Sequence, residues 1–451
     1  MRIKLGIPLR LSEICLATGG RMSGNDCLIE YICTDSREIL ANTVFFALGQ
    51  GEAYVNDALK TGYAVSSSNK NCLLVKSTSD ALLSLASYYI TRLSNLKKTV
   101  MITGSVGKTT VKNYAAAILK NKFLVHKTEG NFNNGIGLPL TVLSAPKDTE
   151  VLVLEAGMNR SGEIERLSLA ARPDIAVITL IGTAHIGNLG SREAIAKAKR
   201  EVLSGLKVGG SVIIPSGEPL LNDIKGCSTV GDGGDAKVII KMQSTDSITF
   251  ELFLSGSVIG DISLPLGGAH LAYDLALAAL AAAHAGMNQN EIKDAILNKS
   301  VFIQRQKIVA FKDFSVYDDS YNASFEAYVA DFELLSTHKG HTGAVIGDIL
   351  ELGDSAEKIH YELGREAARH GINALFPFGN HAEAVRRGAL DAGFPEDAIF
   401  VNSDAAAHAL TAKLIVENTA RGGLVLIKGS RKIQAEKIIP YIKKALGEKN
   451  D

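Results

Sequence analysis

At 451 residues the chain is too long for one compact core and predicts two or three domains of ordinary size. Its 48 basic and 48 acidic residues cancel, so there is no overall cationic field for a nucleic-acid backbone or an anionic membrane, and small-molecule substrates are expected. Five scattered cysteines without a CxxC pair suggest neither a disulfide framework nor a zinc knuckle, and a reducing cytoplasm fits them best.

Residues 1–20 lack a continuous apolar core followed by a small-residue cleavage site, so an unexported protein is expected. The first hundred residues carry no phosphate-loop signal, and Lys97 and Lys98 precede the first strong strand-helix unit. A boundary there sets off a small N-terminal α/β domain, 1–97. Beyond it, short apolar runs (99–103, 151–154, 175–180, 212–214, 315–317, 344–346 and 424–427) alternate with helix-period segments. A sheet built from strand-helix units reads this way, and ligands gather at the polar turns that end its strands. A second boundary is placed near Ile303, where an Ala-rich helix and its polar tail give way to a new strand. The central α/β domain then spans 98–302 and a C-terminal α/β domain 303–451. The Ala-rich stretch 275–285 is too short, and too interrupted by His284, to span a bilayer.

The strongest local signal is MITGSVGKTT at 101–110, an apolar strand entering a Gly-rich turn. A helix follows, with Val111, Tyr114, Ala115, Ile118 and Leu119 along one face. Backbone N–H groups in the turn formed by Gly104, Ser105, Val106 and Gly107, backed by the helix N-terminus, make a ready anion site. Lys108 would reach terminal phosphates, and Thr109, followed by Thr110, would offer a hydroxyl to Mg²⁺. The full G-x-x-x-x-G-K-[ST] pattern is not met, because Ile102 stands where its first Gly would be. Only the shorter G-x-x-G-K-T is present, and Gly-Lys-Thr alone also occurs in plain surface turns. The strand before it and the helix after it favour a P-loop-type ATP site.

Three further segments supply what phosphoryl transfer needs. The buried-type run 151–154 ends in Glu155, a hard oxygen ligand at a strand end. The run 175–180 leads into His185, which could reach the same metal, although a lone histidine is more often structural. Residues 191–201 read as a helix with Lys197 and Lys199 on different faces, and charge pattern alone puts both lysines in solvent.

Together these segments resemble the central domain of the Mur ligase superfamily. The resemblance extends through GNFNN (130–134) with IGLP (136–139), EAGMN (155–159) with GEI (162–164), Ala184-His185 and AKAK (196–199). DDSYNA (318–323), GDILELG (347–353) and KGSR (428–431) are similar to the branch that adds D-alanyl-D-alanine. The family implies three α/β domains: a small N-terminal one for the UDP-linked substrate, the central ATP domain, and a Rossmann-like C-terminal one. It implies a cytoplasmic monomer that joins a UDP-linked muramoyl peptide to D-alanyl-D-alanine through an acyl phosphate. No nucleic acid and no membrane insertion are implied.

By the same resemblance Lys108, Glu155, His185 and Lys199 are catalytic. Lys199 becomes a carbamate that, with Thr109, Glu155 and His185, holds two Mg²⁺ ions. ATP contacts fall on the loop from Gly104 to Thr110, and on Asn134, His270, Asp274, Arg305 and Asp319. Substrate contacts fall on Ser36 and Arg37 in the N-terminal domain, and on Asn322, Asp348, Lys428, Ser430 and Arg431; a basic helix entrance without a ligand is the less favoured alternative for Lys428, Ser430 and Arg431.

Some positions depart from the family pattern. His270-Leu-Ala-Tyr-Asp274 stands for His-Asn-x-x-Asn, so Leu271 removes an amide that could bond adenine. Gly135 replaces an acidic residue, and Ser324-Phe325 replace Asn-Pro. Thr34-Asp-Ser-Arg37 and Phe45-Phe-Ala-Leu48 keep the uridine platform, but the segment after Gly51-Glu52 is Ala53-Tyr-Val-Asn-Asp57 rather than Asp-Gly-His-Asp-Phe. That segment is the main support for an alternative, a paralogous ligase acting on a different carboxylate. A non-catalytic nucleotide-binding protein is a third reading, for which loss of the metal-binding set is expected.

Overall fold

The structure, a computed structural model, describes residues 2–21, 25–265, 267–298, 307–404 and 407–447. Three sheets follow one another along the chain. The first holds β1 (Arg2–Arg10), β2 (Leu28–Cys33), β3 (Thr43–Phe46), β4 (Tyr63–Ser66) and β5 (Leu73–Leu74) in sequential order. Only its β1 and β2 pair antiparallel.

The central sheet comprises β6 (Lys98–Thr103), β7 (Val125–Lys127), β8 (Val151–Glu155), β9 (Ile175–Ile178), β10 (Ser211–Pro215), β11 (Ser228–Val230), β12 (Ala236–Gln243), β13 (Ile248–Leu254) and β14 (Ser257–Leu264). Their order is β14-β13-β12-β11-β10-β9-β6-β8-β7. β8 is buried along its whole length, as a strand covered on both faces must be, whereas β13 alternates buried and half-buried residues at the antiparallel end. Helices Lys108–Leu119 and Ala269–His284 pack together over one face and share a core with Val100, Ile102 and Val153. After β6 the chain runs out to the edge at β7, returns beside β6 as β8, and crosses to its other side as β9. This reversal opens a crevice at the carboxyl ends of β6, β8 and β9, where an open α/β sheet binds its ligands.

The third sheet is made of β15 (Lys307–Ala310), β16 (Phe314–Asp318), β17 (Thr342–Gly347), β18 (Ala374–Phe378) and β19 (Gly423–Lys428), ordered β15-β16-β19-β17-β18. It is parallel except at β15. The expected apolar runs all fall on strands, with shifted ends; β9 stops at Ile178 because Thr179 turns to serve the neighbouring loop. The expected boundary near Ile303 lies outside the described residues.

The N-terminal unit is docked on the central one. The Tyr89 hydroxyl accepts from Ile7 N–H at 2.6 Å and donates to the Ala145 carbonyl at 2.9 Å. A Cβ on Gly6 would lie 2.0 Å from that same carbonyl oxygen. Among the described residues, no helix is long and apolar enough to cross a membrane.

Candidate active site

A cavity of about 570 Å³ opens at the crevice, walled on one side by the central domain and on the other by the loop after β16 and the end of β19. Its floor is the turn between β6 and helix Lys108–Leu119. Gly104 adopts φ +146° and Gly107 φ +84°. Ser105 N–H donates to Leu180 O at 2.7 Å, and the Thr179 hydroxyl donates to Val106 O, so the turn is laced to the end of β9. Lys108 Nζ folds back onto the carbonyls of Gly104 (2.7 Å) and Ser105 (3.0 Å). A Cβ at Gly104 would lie 2.0 Å from Thr179 Oγ1. Gly104→Ala is therefore expected to cost about 1–3 kcal/mol from backbone strain alone, with the clash adding to it. Differential scanning fluorimetry should show a lower melting temperature and a weakened upward shift on adding ADP.

Glu155, at the end of β8, is almost fully buried. Its Oε2 accepts from Thr109 Oγ1 at 2.9 Å and faces Lys112 Nζ at 3.2 Å, while Oε1 accepts from Asn133 Nδ2 at 2.8 Å. Burial opposes its ionisation most strongly, but the charges of Lys112 and Lys108 and these hydrogen bonds prevail, and its carboxyl titrates below the ordinary glutamate range. Sequence reasoning missed Lys112 and Asn133. Lys112 reads as a solvated charge beside the apolar face of its helix, and only the fold brings Glu155 against it.

Lys199 overturns the expectation drawn from charge pattern. Its helix, Arg192–Arg200, capped by the Ser191 hydroxyl, buries Ile195, Ala196, Ala198 and Lys199, while Lys197 stays exposed. The Lys199 amine is 0% exposed and has no hydrogen-bond partner among the described residues. Burial first, then the charge of Lys108, pushes its pKa well below the usual lysine value. His185, in a left-handed conformation (φ +67°), lines the same cavity. Burial and Lys199 lower its pKa, and its Nδ1 donates to Glu351 across the cleft.

The remaining predicted residues divide. Ser105, Val106, Gly107, Thr109 and Thr110 line the cavity with Asn134, whose Oδ1 also accepts Gly137 N–H at 2.9 Å at the start of helix Gly137–Leu143. His270 and Asp274 line it from the Ala-rich helix. Burial drives the pKa of His270, whose Nδ1 has no hydrogen-bond partner among the described residues, down to about 4, and raises that of Asp274 well above the usual carboxyl range. Asp319, Asn322 and Arg431 line the far wall. Arg305 lies outside the described residues.

Lys428 also reaches the cavity, but its ammonium is held between Asp319 and Asp331, the latter at 2.9 Å. It is thus neutralised internally rather than left for a substrate carboxylate. Asp331, another residue the sequence reading missed, is pushed up to about 7 by burial, against the pull of Lys428. Asp348 and Ser430 do not line the cavity. The Asp348 carboxylate accepts the N–H groups of Asn380 (2.8 Å) and His381 (3.0 Å), ahead of helix Ala382–Asp391, and Ser430 Oγ accepts Leu350 N–H at 2.9 Å. Ser36 and Arg37 lie in the N-terminal domain away from this cavity, with the Arg37 guanidinium on Asp35 at 2.6 Å.

Comparison with known proteins agrees with this geometry. The Mur ligase middle domain matches residues 102–283, and the Mur ligase glutamate ligase domain matches residues 304–431. A UDP-N-acetylmuramoyl-tripeptide–D-alanyl-D-alanine ligase from Bacillus subtilis is 33% identical, over 95% of this chain and 96% of its own. The Escherichia coli ligase of the same name is 29% identical, over 96% and 98%. Among solved structures, MurF from Acinetobacter baumannii superposes with a TM-score of 0.88 at 27% identity, covering 98% of this chain and all (100%) of that one. MurF from Thermotoga maritima in complex with ADP gives 0.81, also at 27%, over 92% and 97%. With the phosphate turn, the buried lysine and near end-to-end similarity in agreement, the chain belongs to the Mur ligase family.

Proposed function

We propose that the chain is an ATP-dependent ligase that adds D-alanyl-D-alanine to UDP-N-acetylmuramoyl-tripeptide in peptidoglycan precursor synthesis. The observation that carries the chemistry is the fully buried amine of Lys199, without a hydrogen-bond partner among the described residues, in one cavity with Lys108, Glu155 and His185. The acid and amine identities rest on the relatives that match along nearly their whole length. Three domains, 1–97, 98–302 and 303–451, and a cytoplasmic monomer complete the reading; the three consecutive sheets support the division.

The turn from Gly104 to Thr110 would receive the ATP phosphates on its N–H groups, with Lys108 Nζ released from Gly104 and Ser105 to the γ-phosphate. Asn134, His270, Asp274 and Asp319 would surround the rest of the nucleotide. Among the described residues no three His, Cys, Asp or Glu side chains cluster to hold a metal, and Thr109 and Lys199 would complete the donor set. Thr109 Oγ1, 2.9 Å from Glu155, fits one Mg²⁺. Glu155, His185 and Lys199 fit a second once the neutral lysine amine adds CO₂ and loses a proton, which replaces a stranded base by an anion. Bound there, Mg²⁺ would neutralise charge on the phosphoryl group in flight.

A carboxylate oxygen of the acid then attacks the γ-phosphorus, ADP leaves, and the acyl phosphate is exposed only to the bound amine. The amine nitrogen attacks the acyl carbon and phosphate departs with the original carboxylate oxygen. Asn322 and Arg431, which line the cavity, would orient the dipeptide, while Ser36 and Arg37 would serve the uridine end. This oxygen path has a direct test. With acid substrate carrying ¹⁸O in its carboxylate, one label is expected in the released phosphate; unlabelled phosphate contradicts an acyl phosphate.

A second reading keeps the chemistry but changes the acid. Its support is the altered segment Ala53-Tyr-Val-Asn-Asp57 of the N-terminal domain.

A further inference from the structure

The loop that carries His185 is gripped from across the cleft. Thr183 N–H donates to Glu326 Oε1 at 2.7 Å, and a Cβ on Gly182 would lie 2.6 Å from that carboxyl group. Two residues past His185, Gly187 N–H donates to the backbone carbonyl of Glu351 at 3.0 Å. Gly187 has no room for a side chain, since a Cβ would lie 2.3 Å from Gly353 N. Glu351 itself holds φ +64°, a left-handed conformation that a non-glycine residue keeps only where its surroundings impose it. With its backbone fixed in this way, the Glu351 carboxylate meets His185 Nδ1.

A carboxylate on one imidazole nitrogen settles the tautomer. Nδ1 carries the proton and donates it, which leaves Nε2 unprotonated as the ring's only lone-pair donor. His185 lines the cavity beside Glu155 and Lys199, where a soft rotation of an unsupported ring would scatter that lone pair. The partner comes from the GDILELG segment, whose Asp348 is turned away and spent on the N–H groups of Asn380 and His381. The residue of that segment that reaches the site is Glu351.

We propose that Glu351 is a positioning residue for His185: the C-terminal domain carries the carboxylate that fixes the central domain's imidazole, so the metal site of Glu155, His185 and Lys199 is complete only when the two domains are docked. The inference rests on the assignment of His185 as a metal ligand. Apart from any effect on closure, it separates Glu351 from Glu326, which grips the same loop by Thr183 without touching the imidazole.

The test counts bound Mn²⁺ by electron paramagnetic resonance, in bicarbonate buffer with AMP-PNP, for the wild-type chain and for Glu351→Ala, Glu351→Gln and His185→Ala. His185→Ala is expected to lose one of two ions. Glu351→Ala should weaken that ion by about 10–100-fold, the usual cost of removing a ligand's outer partner. Glu351→Gln, which keeps an acceptor without the charge and carries the test if the alanine variant does not fold, should fall between. In steady state the Mg²⁺ midpoint should rise in both Glu351 variants with KM for ATP unchanged, a split that general loosening of the fold would not give. Wild-type Mn²⁺ affinity in either Glu351 variant, beside a His185→Ala variant that has lost an ion, overturns this inference alone. Retention of both ions by His185→Ala overturns the ligand assignment, and this inference with it.

Discussion

Lys199→Ala is expected to cut turnover by about a thousandfold while ADP binding survives, since the several kcal/mol that a second cation contributes in the transition state correspond to roughly that factor. The physical reason lies in the side chain's isolation. With no acceptor among the described residues, burial and the facing charge of Lys108 disfavour the ammonium and favour the neutral amine. A neutral amine is the form that adds CO₂. The carbamate restores balance by placing an anion where Lys108 would otherwise face a stranded base. Enzyme equilibrated with ¹³C-bicarbonate should show a carbamate carbon signal that Lys199→Ala lacks. Short carboxylates such as acetate should restore part of the variant's rate, and Lys197→Ala, on the exposed side of the same helix, should behave as wild type. Wild-type turnover in Lys199→Ala without added carboxylate would contradict the carbamate.

Glu155→Gln should be both inactive and unstable, for separable reasons. Activity is lost because the substituted amide is a poor Mg²⁺ ligand; a loss of about a thousandfold or more is expected, again from several kcal/mol of charge stabilisation. Stability falls because the buried Lys112 ammonium loses the carboxylate it faces, and breaking such a pair costs about 3–5 kcal/mol. Thermal unfolding should show a clear drop in melting temperature. Adding Lys112→Met removes that buried charge and should recover most of that drop without any recovery of activity. The sign of the pH dependence follows from the direction of the shift. Because the folded Glu155 titrates below its ordinary value, its stabilisation is present at neutral pH and is lost only on acidification through the folded value. A Glu155→Gln chain as stable as wild type would show that Lys112 finds enough compensation elsewhere.

What could be read from the sequence was local. The phosphate turn is contiguous, with strand, glycines, lysine and helix within MITGSVGKTT, so its shape is written in neighbouring residues. The same holds for β8 and its terminal carboxylate, and for the helix within residues 191–201. Lys199 was the opposite case. Among Lys197, Arg200 and Glu201 it reads as one more solvated charge, and only the packing of Ile195 and Ala198 against the core turns it inward. The resemblance to a family, not the charge pattern, pointed to it.

Partnerships between residues far apart in the chain were illegible for the same reason. Lys112 finds Glu155, Glu351 finds His185, and Asp331 finds Lys428 only after the strands have assembled. The motif residues Asp348, Lys428 and Ser430 illustrate the converse: they sit at or beside strand ends as expected, yet their polar atoms meet backbone N–H groups and carboxylates within the fold. A strand end marks where chemistry gathers but does not say which side chains face the ligand.

The central claim is tested most directly by ADP and phosphate release from the purified chain with Mg²⁺ and ATP, offering UDP-N-acetylmuramoyl-tripeptide and D-alanyl-D-alanine separately and together. The account predicts release only with both present, and a product whose mass is that of the two substrates joined with loss of one water. No turnover with both, beside a relative that works under the same conditions, would contradict the assignment of these substrates.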